Sequence, residues 1–124
     1  MAGTIVADTL QDGAGNSTAT TNAIMGSAKA WVRFTGVTTV TVSASFNVSS
    51  VTRSATGNYT INLTTALTDA NYSVIGMSQG QSAYLAGTWI ANGTTPTSSS
   101  VNIYTGSYAT LPYDAPIVCI AFFR

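Results

Sequence analysis

The sequence predicts an all-β chain: an antiparallel β-sandwich of jelly-roll-like form over residues 27–124, preceded by an extended N-terminal arm over residues 1–26. Three observations predict it. After Ala28, apolar and hydroxyl-bearing side chains alternate at every second position, the period of a half-buried strand. Gly, Pro, Asn and Ser interrupt that alternation at short intervals. No segment carries a helical period. Seven or eight short strands at this spacing pack as two antiparallel sheets.

The arm differs from the rest. Asp12 to Asn22 is small, polar and rich in turn formers, with no apolar side to offset the entropy of ordering. It reads either as a flexible tail or as an extended arm that orders against a neighbouring subunit or scaffold. In the second case Ile5, Val6 and Leu10 are its candidate anchors.

The first strand is expected at 29–35. From Thr38 to Val48, Val40, Val42, Ala44, Phe46 and Val48 alternate with polar residues, and one strand is expected there. In 58–64, Tyr59, Ile61 and Leu63 face inward. Ser54 to Asn58 is a turn signal that joins 48–53 to 58–64 as a hairpin. Further strands are expected at 71–77, 83–91, 99–104 and 116–123, with loops at 65–70, 78–82, 92–98 and 105–115. The last strand is apolar on both faces: Ile117, Cys119, Ala121 and Phe123 on one, Val118, Ile120 and Phe122 on the other. Such a strand must be covered on both. Either it is buried within its own chain, or Val118, Ile120 and Phe122 meet another subunit as a candidate oligomer interface. Cys119 reads as a small buried thiol.

Composition limits the chemistry. The chain has no His and no Glu, only four Asp, and 6% charged residues with zero formal net charge. A typical soluble domain has about 25%. General acid–base catalysis needs a group titrating near neutrality, so no enzyme and no cofactor are expected. Weak charge gives little repulsion between copies, so association is favoured over a monomer kept wet by hydroxyls and amides. With no basic patch, nucleic acid is not an expected partner. The longest apolar run, seven residues from Ile117, is too short to span a bilayer, and no signal peptide is expected at the N-terminus.

The local motifs point the same way. Asn-x-Ser/Thr triplets begin at Asn16, Asn47, Asn58, Asn62, Asn71 and Asn92, and read as polar strand faces. Asp8, Asp12, Asp69 and Asp114 stand in turn-like contexts where Asp caps its own backbone, and they lack the spacing of a calcium or other metal site. The Gly-rich stretches at 13–15 and 76–80 lack the Lys and helix of a phosphate loop. Trp31 reads as structural, with Arg33 on its face. The aromatic residues Tyr84, Trp89, Tyr104, Tyr108 and Tyr113 are candidate surface-binding residues, because Tyr and Trp join an apolar face to a polar edge. Ordinary packing is the alternative for each.

Several segments in order carry a resemblance: Ala7 to Leu10, Gly26-Ser27-Ala28-Lys29-Ala30-Trp31-Val32-Arg33-Phe34, Ser45 to Thr52, Thr56 to Ala66, and Asp69-Ala70-Asn71-Tyr72. Together they resemble tail-fibre-like small virion structural proteins of tailed bacteriophages, of the marine and freshwater type. The resemblance covers about residues 4–76 and fades beyond 77. The chain departs from that pattern at Arg33 and in the turn Arg53-Ser54-Ala55, which lacks an acidic residue. The resemblance implies a structural protein of the virion, assembled in the host cytoplasm as a homotrimer, with no catalytic residues. Its expected partners are copies of itself, other virion proteins of tail or capsid, and host surface glycans. The expected function is a fibre or knob attached by its arm. The alternative is a capsid decoration protein whose arm lies across neighbouring head subunits.

Overall fold

The computed structural model describes residues 3–80, 86–107 and 112–124. The chain forms an all-β fold of two four-stranded antiparallel sheets, consistent with a β-sandwich. In chain order the elements are β1 (Thr9–Gln11), β2 (Ser17–Ala19), α1 (Thr20–Gly26), β3 (Ala28–Thr35), β4 (Thr41–Phe46), β5 (Val48–Ala55), β6 (Asn58–Leu63), β7 (Ser73–Ser78), β8 (Ala86–Ile90), β9 (Ser100–Ser107) and β10 (Val118–Phe123). The first sheet has the order β4-β3-β10-β7 and the second β5-β6-β9-β8.

Each sheet contributes its two central strands to one core. Ala30, Val32 and Phe34 of β3 and Val118, Ile120 and Phe122 of β10 face Tyr59, Ile61 and Leu63 of β6 and Val101 and Ile103 of β9. The alternation of these strands therefore buries every second residue, as the period of two requires. Phe34 meets Tyr59 edge to face with ring centroids 5.1 Å apart, an arrangement that the ring quadrupoles favour. The edge strands β7 and β8 come together where Gly76 packs against Thr88, and the Ser78 hydroxyl donates to the Gly87 carbonyl at 3.1 Å.

Four expectations are corrected here. Residues 38–48 do not form one strand. The strand ends at Phe46, Asn47 takes a left-handed φ of 54°, and the chain crosses to the second sheet as β5. The Asn47 side chain holds that corner: its amide donates to the Lys29 and Thr65 carbonyls at 3.1 Å each, and its oxygen accepts from the Thr65 N–H at 2.8 Å. A helix, α1, is present although no helical period announces it. It is seven residues long, has no side-chain cap and buries nothing. Val118, Ile120 and Phe122 are core residues of their own chain, at most 2% exposed, so they present no face to another subunit. β10 is central, with β3 and β7 paired on either side. The residues it turns outward belong to the opposite set, and Cys119, expected buried, is exposed among them.

The arm folds back on itself rather than running extended. β1 and β2 pair as a short hairpin, and Asp12 accepts the Ala14 and Asn16 N–H groups at 2.9 Å each in its turn. Ile5 and Val6 stay 89% and 92% exposed, and Leu10 is exposed with them.

Candidate functional site

The two sheets share one core but turn outer faces of opposite character. On the first sheet, strand register sets Phe46, Trp31, Ala121 and Ile75 in one row across β4, β3, β10 and β7. Ala44, Arg33, Cys119 and Met77 form the next. Ile75 is 60% exposed, Met77 75% and Phe46 55%, and a shallow groove of about 410 Å³ runs over Trp31, Ile75, Met77 and Cys119. Arg33 is the one charge in these two rows. Ala44 and Phe46 of β4 thus point away from the core, because β4 is an edge strand whose register with β3 sets Phe46 beside Trp31 and Ala44 beside Arg33, and a register shift after Arg33 sets Val42 beside the core residue Phe34 instead.

On the second sheet the outer face carries amides and hydroxyls. Asn58, Thr60 and Asn62 of β6 lie beside Tyr104, Asn102 and Ser100 of β9. The Thr60 hydroxyl donates to the Asn102 amide oxygen at 2.6 Å. At one side Trp89 of β8 pairs in register with Tyr104, their ring centroids 5.9 Å apart and tilted by 44°. Trp89 is half-exposed, and a hollow of about 350 Å³ opens between Trp89, Ile90, Asn92 and Tyr104.

Of the aromatic residues expected to bind at the surface, the structure brings Trp89 and Tyr104 together. Tyr113 does other work: its hydroxyl donates to the Gln79 carbonyl, its backbone ties to Thr105, and its ring packs on the core, where burial pushes its pKa up. Tyr84 and Tyr108 lie outside the described residues.

Three of the four aspartates, Asp12, Asp69 and Asp114, hold their carboxylates in hydrogen bonds. Asp114 accepts from Arg53 Nε at 2.9 Å and Nη2 at 2.8 Å, from the Gly57 N–H at 2.9 Å and from the Tyr59 hydroxyl at 2.8 Å. The Arg53 guanidinium, with those other donors, holds its pKa down to about 2 against an opposing cost of burial. Burial, reinforced by the carboxylate that accepts its proton, holds the Tyr59 hydroxyl well above the usual range. Asp69 accepts from Arg124 and from the Asn71 N–H, and its pKa is also lowered, first by Arg124. The capping role expected for Asp12 and Asp69 is present. The long-range pairing of Asp69 and Asp114 with Arg has no signal in the sequence, since each partner lies 55 or more positions away.

No protein-family model, no curated protein and no solved structure matches this chain.

Proposed function

We propose that this chain is a non-enzymatic surface protein of a bacteriophage virion, of fibre or knob type. It associates with copies of itself, as a homotrimer, attaches through its N-terminal arm and turns its amide-rich face towards host surface glycans. The observation that carries this reading is the contrast between the two outer faces of one sandwich. An apolar face of the size set by Phe46, Trp31, Ile75 and Met77 is unfavourable in water and suits burial between copies. The opposite face, with Trp89 and Tyr104 beside a field of Asn and Thr, suits a hydroxyl-rich partner. The two Asp–Arg pairs support a non-catalytic role, since carboxylates held below their usual range cannot donate a proton near neutrality. The repeated passage of the chain between its two sheets supports a jelly-roll-like sandwich.

The exposed arm favours a second reading, capsid decoration. Ile5 and Val6 are almost fully exposed and would lie across neighbouring head subunits. Gold-labelled antibody against this chain, viewed on intact phage particles, separates the two. Label on the tail supports the fibre, label spread over the head supports decoration, and particles without label overturn both.

A further inference from the structure

We infer that the outer face of the second sheet binds an uncharged oligosaccharide in a groove running from the Trp89–Tyr104 pair to Asn58 and Asn102, an inference that rests on the glycan-contact reading above and names the ligand class. Two neighbouring hollows form the groove. One, about 350 Å³, lies at Trp89, Ile90, Asn92 and Tyr104. The other, about 250 Å³, is lined by Ser54, Asn58, Thr60, Asn92, Thr94 and Asn102, among others. Asn92 lines both and joins them.

A pyranose has an apolar face of C–H bonds and a rim of hydroxyls, and each finds its counterpart here. The half-exposed indole of Trp89, backed by Tyr104, is a flat apolar surface with a polar edge. Beyond it the Asn102 amide oxygen is taken by the Thr60 hydroxyl, which leaves the Asn102 NH₂ group to donate. Asn58 spends an N–H on the Thr56 carbonyl and keeps its amide oxygen as an acceptor. The groove therefore offers donors and acceptors in fixed positions at one end and a stacking surface at the other. Among the described residues, none lining either hollow is charged, so an acidic sugar or a peptide carboxylate would be desolvated there without a counter-ion. A neutral saccharide meets no such cost.

The test uses the full chain on a printed array of neutral tetrasaccharides of glucose, galactose, mannose and rhamnose, beside tetragalacturonate. The strongest binder is then titrated by calorimetry, and by tryptophan fluorescence in a Trp31→Phe background so that the signal is that of Trp89. Saturable binding of a neutral tetrasaccharide with a change in Trp89 emission is expected, and none of tetragalacturonate. Trp89→Ala weakens it about tenfold or more. Asn92→Ala, an exposed loop change that leaves the sandwich intact, weakens it about threefold to tenfold. Preference for the acidic probe, neutral binding that survives both substitutions, or no binding by any probe overturns the assignment. Gold label on the virion with no saccharide bound leaves the virion reading standing and removes this site; saccharide binding with no label on particles does the reverse.

Discussion

Asp114 receives the guanidinium of Arg53 on both carboxylate oxygens, across 61 positions of chain. The pair ties the segment ahead of β10, at Tyr113 and Asp114, to the β5–β6 hairpin, and the same carboxylate takes the hydroxyl of the core residue Tyr59. One acidic group thus anchors a loop, a hairpin turn and the polar end of the largest buried side chain.

That arrangement makes stability depend on acid in a defined direction. The folded pKa of Asp114, about 2, lies below its ordinary 3.8, so its contribution is fully present above pH 4 and is lost as pH falls through 2. Its side chain is 19% exposed, and the contribution is on the order of 1–2 kcal/mol. Asp114→Asn is expected to lower unfolding stability by that amount at pH 7 and by much less at pH 2. Urea unfolding of both chains at the two pH values checks it; an equal loss at each would show that the carboxylate charge is not the cause.

Gly57 closes the β5–β6 turn at φ 69°, and a Cβ there would be driven into the Thr105 carbonyl oxygen. Gly57→Ala is expected to destabilise the chain by about 2–3 kcal/mol, from backbone strain and the clash together. Thermal unfolding measures it, and an unchanged midpoint would place the turn elsewhere.

Asn47 combines a left-handed backbone with three side-chain hydrogen bonds at the corner between the sheets. Asn47→Ala loses both features and is expected to cost about 2–4 kcal/mol. Asn47→Gly keeps the backbone freedom and loses only the bonds, so its cost falls between wild type and Ala. If Gly and Ala cost the same, the hydrogen bonds alone hold the corner.

The two faces of β10 and its neighbours give opposite results on substitution. Val118→Asp buries a carboxylate in the core and is expected to unfold the chain, at a cost above about 4 kcal/mol. Ile75→Asp and Met77→Asp, on the open face, leave the fold intact and shift the chain towards monomer in sedimentation velocity. Wild type and both variants sedimenting alike would remove the self-association assigned to this face.

Much of the fold was legible in the local pattern. Tyr59, Ile61 and Leu63 face inward as their alternation indicates, and the Ser54 to Asn58 turn joins the hairpin expected of it. The sheets themselves follow from a chain short of charge and of helical period. Part of the candidate site was legible too: Trp89 and Tyr104 stood out by residue type, but only their register across β8 and β9 makes them a pair.

What the sequence by itself determined is therefore the class of fold, most strand positions and the scarcity of charged and titratable side chains. Tertiary structure alone decided which face of a strand is inside. Alternation reads the same whether Ala44 and Phe46 point to the core or to water, and an apolar strand such as β10 is apolar on both sides. Burial belongs to the sheet laid over a strand, and that depends on contacts between residues far apart in the chain. The same holds for Asp114 and Arg53: each is an ordinary turn or strand residue until the folding of both sheets brings the charges together.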